Sequence, residues 1–351
     1  MMGRKKQELN YMNAVACLLV ILIHVLSMGI SSLEHTSWQA ALVYLPWRLS
    51  AFVVPMFLYT GAIKMARQYG ERVITAGDYG RYILQRFRKI YLPYVVWVVI
   101  YYLAFLPIGY VRGELGEFLS YLWLGNLSSP FYYILVVMQF YLLLPVWVWM
   151  VRQVPAYLGV SIGLLVTLLM QQSGRILDFL GLEFAYTDRI FPTYLIFWVV
   201  GLYVGKYYDR VASVLARRQG RVLCGGVILL GALAAYLQYA GAVYVLDLNN
   251  IKLVTDLLSI ALLHGLCISI RNMPERLRSV LQWIYAGSFF VYLSHCVFLT
   301  LTTAYLQGRG ISDLFVLLGA RLLVCFTVPF VLWYVYQGLT RRFPRLPRLL
   351  G

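Results

Sequence analysis

Two histidines give the first chemical signal. His24 stands in Ala14–Val25, a stretch otherwise without charge, and His295 stands in the apolar run Phe290–Phe298. Apolar surroundings favour the neutral imidazole, and a neutral imidazole can take a proton or attack a carbonyl. Four more polar groups fall inside apolar runs, Arg48, Asp256, His264 and Arg321, where an ionised side chain is costly and needs a reason. Asp256 and Arg321 are expected to neutralise one another as a structural ion pair, with a proton or substrate path as the alternative reading. Arg48 either lines a polar cavity or snorkels towards the near surface. His264 reads as a histidine bonding between helices. His35, in a polar segment, is the least informative of the four histidines.

The elements that hold these groups follow from composition. Of 351 residues 61% are hydrophobic and 13% are charged, against about 25% charged in an average soluble domain. A soluble fold of this size could not hide so much apolar surface; lipid can. The net charge of +16 does not indicate nucleic acid, because the basic residues sit in short segments between apolar runs, as membrane topology requires. The five cysteines form no CxxC pair, so neither a disulfide nor a metal framework is visible. They read as small residues of membrane packing.

A hydrocarbon core of about 30 Å takes about 20 apolar residues as helix. Runs of that kind fall near 10–30, 41–66, 90–110, 130–151, 155–171, 190–207, 222–243, 251–270, 283–304 and 312–337. They predict an all-α polytopic membrane protein of about ten helices, since a lipid-exposed open strand would leave its backbone groups unsatisfied. The first run follows Arg4, Lys5 and Lys6 and lacks a small-residue cleavage site, so it reads as a retained helix. All but seven of the 30 lysines and arginines fall at the N-terminus and in every second connection. The positive-inside rule therefore puts both termini in the cytoplasm. No connection is long enough for a separate soluble domain; the longest, near 67–89 and 172–189, read as loops. A single membrane domain over 1–351 is expected.

Several segments then fall into a familiar order. Asn13 precedes His24 by eleven residues in Tyr11-Met-Asn13-Ala-Val-Ala-Cys-Leu-Leu-Val-Ile-Leu-Ile-His24. At 100° per residue the two share a face, roughly 16 Å apart along the axis. Pro55-Met-Phe57-Leu-Tyr-Thr60-Gly61 and Arg86-Phe-Arg88-Lys89-Ile-Tyr-Leu-Pro93-Tyr94 follow. Later come Tyr132-Tyr-Ile-Leu-Val-Val-Met-Gln139-Phe-Tyr141 with Pro145, Gly201-Leu-Tyr-Val-Gly205 and Ser288-Phe-Phe-Val-Tyr292-Leu-Ser-His295. Together, over about residues 8–337, they resemble the membrane acyltransferase family 3, which modifies surface polysaccharides and other carbohydrates. Within it the intercellular adhesion protein C branch is the most similar.

The resemblance implies a membrane O-acyltransferase with a cytosolic acyl-coenzyme A donor, acetyl-coenzyme A first among candidates, and a glycan or glycolipid acceptor. It implies His24 as base or acyl carrier and His295 as a second catalytic histidine. Arg48 or Tyr133 would steady the oxyanion, a role for a hydrogen-bond donor. Arg86, Arg88 and Lys89 would hold the donor's phosphates, Arg by paired bonds and Lys as a point charge. Asn13 stands where the family pattern has an arginine, so this chain lacks a fixed charge at that donor-side position. No metal is called for. Membrane lipid and polysaccharide-synthesis machinery are the implied partners, in a plasma membrane, and nucleic acid is not. Two rival readings stand beside the enzyme: a polysaccharide transporter or flippase, and a non-catalytic membrane partner of a polysaccharide synthase.

Overall fold

A computed structural model describes residues 7–181, 183–242, 247–270, 273–343 and 349–351. Arg4, Lys5, Lys6, Arg271, Arg345 and Arg348, used above for orientation, lie outside these residues. The described chain is helical, with no strand among the described residues. Each expected apolar run coincides with a helix or a bent helix pair. Among the described residues seven helical stretches are long and apolar enough to cross a membrane, or up to nine if two pairs bent by 59° each count as one span. The apolar helix at Phe191–Lys206 is shorter.

Contacts gather the chain into two units, Met1–Met56 with Asp209–Pro347, and Phe57–Tyr208 with Arg348–Gly351. The first is built around α1 (Gln7–Ser32), which packs against α2 (Trp38–Leu49), α14 (Leu248–Ser269), α15 (Glu275–Gly308) and α16 (Leu314–Arg342). Alanines 14 and 16, Cys17 and Gly29 keep α1 slim, so neighbours approach it closely and bury Met12, Cys17, Ile21 and Val25 fully. Helices α12 (Tyr208–Leu215) and α13 (Arg218–Tyr239) precede α14 in the chain, and α13 lies on α2 and α14. Side chains start these helices by capping orphan N–H groups: Ser37 Oγ accepts from Ala40 N at 3.2 Å, Asp247 Oδ1 from Asn249 N at 2.8 Å and Asp313 Oδ1 from Val316 N at 2.9 Å. The outward faces of α13 and α16 are apolar, with Leu230 68% and Leu323 66% exposed. In water such stripes would drive association; in a bilayer they face the solvent they match. The 34 residues of α15 make a rod of about 51 Å, longer than the hydrocarbon core, so its ends extend beyond it.

The second unit holds the remainder of α3 (Val53–Tyr69) and the elements α4 (Ala76–Arg86), α5 (Leu92–Phe105), α6 (Leu115–Leu124), α7 (Tyr132–Leu142), α8 (Leu144–Gln153), α9 (Ala156–Gln171), α10 (Ser173–Phe179) and α11 (Leu195–Lys206). Its core is aromatic: Trp198 is fully buried and stacks on Phe140 at 4.4 Å, with Trp147 and Leu202 alongside. The α7–α8 bend occurs at Leu143, ahead of Pro145, and Trp147 Nε1 ties it by donating to Phe140 O at 2.7 Å.

Two expected loops turn out to contain helices. Residues 76–86 form α4, begun by a capping box in which Thr75 and Asp78 bond each other's backbone N–H. Its many charges hid it, since an amphipathic surface helix lacks a continuous apolar run. Residues 173–179, likewise, form α10. Between α4 and α5 the chain makes a π turn, Phe87–Tyr91, with Leu92 N–H donating to Phe87 O. Pro93 follows at once, and its missing N–H leaves the ladder open to such widening.

Gly201 shows how tightly α11 meets α3. A Cβ there would stand 2.5 Å from Tyr59 O and 2.8 Å from Ala62 Cβ, whereas one at Gly225 would meet nothing within 4 Å. Small residues that let backbones touch are the usual adhesive of membrane helices. Gly201→Leu is expected to destabilise the protein by about 1–3 kcal/mol through overpacking, seen as a lower melting temperature in detergent. Gly225→Leu should melt as the native protein does.

Candidate active site

His24 and His295 face one another inside the first unit. Helix α1 supplies His24 and α15 supplies His295, and their ring centroids are 5.3 Å apart with planes inclined by 43°. His295 is fully buried, while His24 is partly exposed. The His295 Nδ1 lies 3.0 Å from the carbonyl of Val291, one turn back on α15. A carbonyl only accepts, so Nδ1 carries the proton and, in the neutral ring, Nε2 presents a lone pair. The Cys296 sulfur is 3.3 Å from that Nε2. One ring nitrogen each from His24 and His295 and the Cys296 sulfur lie within 4.8 Å of one another, a donor set that a soft cation could also occupy.

The surrounding polar groups are spent on positioning. Arg321 of α16, 5% exposed, donates from one terminal nitrogen to His24 O at 3.1 Å. Ser27 Oγ donates to the same carbonyl at 2.8 Å. Cys325 Sγ–H points to His295 O at 3.5 Å, and Cys17 Sγ–H to Ser288 O at 3.7 Å. Helices α1, α15 and α16 are thus bonded together around the imidazole pair. The Ser288…Tyr292…His295 segment works structurally as well: Ser288 supplies the carbonyl for Cys17, and the Tyr292 ring is 6.3 Å from His295.

The expected pairing of Asp256 with Arg321 is not what the structure shows. Asp256 instead accepts from Lys252 Nζ at 2.5 Å and lies 3.9 Å from Arg48 Nη1, while Arg48 Nη2 donates to Thr255 Oγ1 at 3.1 Å. Arg48 and Asp256 are both buried. Neither reading made for Arg48 from sequence foresaw this, because its partners are two hundred residues away in the chain. Asn13 is on α1, three turns before His24 and half-buried. His264 is fully buried in α14. His35 stacks on Tyr239 at 4.1 Å.

The remaining candidates belong to the second unit. Tyr133, on α7, packs at 6.0 Å against Phe57. Arg86 ends α4, and its guanidinium sits between the rings of Tyr82 and Tyr141, 4.8 Å from each centroid. Arg88 and Lys89 lie exposed in the π turn. Three residues apart, Arg86 and Lys89 would share one face of an α-helix; the widened turn breaks that relation, so Arg86 turns inward while Arg88 and Lys89 face out. A basic cleft of about 540 Å³ was not anticipated. Arg67, Arg72, Arg152 and Lys206 line it at the C-terminal ends of α3, α8 and α11. Arg152 donates there to Gly70 O and Arg72 O, and Lys206 to Val151 O. Cations at helix C-termini offset the dipoles and the orphan carbonyls.

Residues 6–336 match the acyltransferase domain of acyltransferase family 3, and the chain belongs to that family. It is a multi-pass membrane protein of the acyltransferase class. It is 24% identical over 321 residues, 84% of its length and 81% of the relative's, to the "Putative membrane-bound acyltransferase YfiQ" of Bacillus subtilis (strain 168). It is 23% identical over 327 residues, 87% of its length and 85% of the relative's, to the "Probable poly-beta-1,6-N-acetyl-D-glucosamine export protein" of Staphylococcus aureus (strain MSSA476). The protein of that name from Staphylococcus epidermidis is 23% identical over 317 residues, 87% of this chain and 84% of the relative. No solved structure matches the chain.

Arg48→Ala takes away the bond to Thr255 and one of the two cations beside the buried Asp256, leaving Lys252 as its partner, and is expected to destabilise the protein by about 1–3 kcal/mol. Adding Lys252→Ala in the same chain strands the carboxylate and should cost about 3 kcal/mol more. Thermal unfolding of the single and double variants in detergent measures both effects.

Proposed function

We propose that this protein transfers an acyl group, acetyl in the first instance, from cytosolic acyl-coenzyme A to a hydroxyl of an exported polysaccharide or glycolipid. The observation that carries the reading is the pair of facing imidazoles on α1 and α15, in a chain of the acyltransferase family. Acyl transfer to a hydroxyl needs a group that removes the hydroxyl proton as the carbonyl is attacked. His24 is the more exposed of the two rings and is assigned that role; His295, with its tautomer fixed by Val291, stands behind it. The relatives named for poly-beta-1,6-N-acetyl-D-glucosamine export support a polysaccharide acceptor and a place beside polysaccharide-synthesis machinery in the plasma membrane.

The donor's phosphates are assigned to basic groups of the second unit. Exposed Arg88 and Lys89, with the cleft of Arg67, Arg72, Arg152 and Lys206, offer the charge; the cleft volume is within the usual range of ligand sites, about 300–1,000 Å³. Positive-inside placement of those groups and of both termini on the cytosolic side matches a cytosolic donor. Arg86 is assigned to shaping that region, since its head is held between tyrosines. Arg48 is tied to Asp256 and Thr255, which makes its role structural. The proposed transfer uses no metal.

Labelled acetyl transfer into surface polysaccharide tests the reading. His24→Ala is expected to lower incorporation at least 100-fold, the scale of a general base, while polymer is still exported. The export names of the relatives support a second reading, a transporter. Under it, His24→Ala would stop export while intracellular polymer keeps its label. No label with the native protein, and polymer still at the surface, would favour a non-catalytic partner.

A further inference from the structure

Three sulfurs lie along the helices bonded around the imidazole pair, Cys296 and Cys325 beside it and Cys17 two turns before His24, and they are not equivalent. Cys17 and Cys325 each spend their S–H on a backbone carbonyl, so neither thiol faces a base. The Cys296 sulfur stands 3.3 Å from His295 Nε2, the nitrogen left with a lone pair once Nδ1–H is given to Val291 O. Thiol, base and a group orienting the base are the three parts of an activated nucleophile. A fourth part is present too. Arg321, 5% exposed, keeps its Nε–H without a hydrogen-bond partner, while a terminal nitrogen of the same guanidinium holds the His24 carbonyl. A buried, unsatisfied N–H is costly to keep and suits an oxyanion that exists only during reaction.

We propose that Cys296 carries the acyl group between donor and acceptor, with His295 as its base. This rests on the acyl transfer proposed above. In the first half, His295 Nε2 takes the Cys296 thiol proton and the sulfur bonds to the carbonyl carbon of the donor thioester. Negative charge gathers on the carbonyl oxygen, for which Arg321 Nε–H is the donor. The bond from carbon to the coenzyme A sulfur then breaks, and that sulfur leaves with the proton held by His295. In the second half, His24 takes the proton of the acceptor hydroxyl, whose oxygen attacks the acyl-Cys296 carbonyl. The carbon–sulfur bond breaks, and Cys296 regains its proton from His24. A thioester replaces a thioester in the first half and an oxygen ester forms in the second, so no oxidant, metal or further reactant enters. The arrangement gives each histidine its own proton, and it lets the cytosolic donor depart before the acceptor arrives.

The test uses the full-length protein in detergent with labelled acetyl-coenzyme A and no acceptor, stopped with acid. The native protein should retain label that neutral hydroxylamine releases and that maps to the peptide containing residue 296. His24→Ala should load and fail to unload, whereas His295→Ala and Cys296→Ala should not load. Cys224→Ala, outside the site, should load as the native chain does. Cys296→Ser, close in volume, guards against misfolding; eluting as a monodisperse species, it should lose at least 100-fold in polysaccharide labelling. The proposal is overturned if Cys296→Ser or Cys296→Ala labels polysaccharide within threefold of the native rate, or if the label maps to His24. It is also overturned if the native protein labels polysaccharide without ever loading. Absence of polysaccharide labelling by the native protein would instead sink the acyltransferase reading itself.

Discussion

Wherever water is excluded, every polar atom must find its partner within the protein, and the first unit is organised by that requirement. The His295 Nδ1–H reaches Val291 O, Arg321 reaches His24 O, and the Cys17 and Cys325 thiols reach carbonyls of α15. These bonds settle local satisfaction and, in doing so, set the chemistry. A ring whose Nδ1 is committed has only Nε2 left to offer. Backbone carbonyls, which carry no sequence information of their own, thereby choose the tautomer of the group proposed as a base. The same requirement closes Arg48, Thr255, Asp256 and Lys252 into one cluster.

Close helix approach is the second support. Gly201 and Gly205 let α11 lie against the backbone of α3, where a Cβ at Gly205 would come to 2.8 Å from Ala66 Cβ. On the other unit Gly287 of α15 receives the Trp333 indole of α16, whose Cδ1 would lie 2.6 Å from an added Cβ. Between lipid-like surfaces the hydrophobic effect gives little reason for helices to associate, so contact itself and interhelical hydrogen bonds must hold them. That division of labour explains why leucines point outward here and small residues inward.

Much of this was readable from the chain. Ten apolar runs stand out because lipid crossing demands long uninterrupted hydrophobicity, and each is found as a helix or bent pair. His24 and His295 stand out because titratable groups are rare in such runs, and they meet. What hid was of two kinds. Partnerships between distant segments leave no local trace, so Arg48 with Asp256 and Arg321 with His24 O were not visible. Opposite charges at similar depth suggest Arg321 as the partner of Asp256, yet Asp256 pairs with Lys252 and Arg321 holds the His24 carbonyl. The role of Cys296 hid for another reason: cysteine is a common packing residue in membrane helices, and only the ring nitrogen beside it marks it out. Helix α4 was missed because a charged amphipathic segment resembles a loop, although Thr75 and Asp78 carried the spacing of a capping box.

The π turn at Phe87–Tyr91 amounts to one residue more than an α-helical path would use. It acts as a phase shift between two registers, since each residue turns an α-helix by about 100°. Downstream, that phase aims Tyr102 at Glu117 and sets Tyr94 and Tyr101 against Phe131. Upstream, it frees the Arg86 head to enter the tyrosine pair while Arg88 and Lys89 stay outside. Closing the wide turn into an α-helical path without removing a residue would swing everything beyond it by over a quarter revolution, carrying the tyrosines off Glu117 and Phe131. The extra residue and the wide turn are therefore matched, and each is tolerable only because of the other.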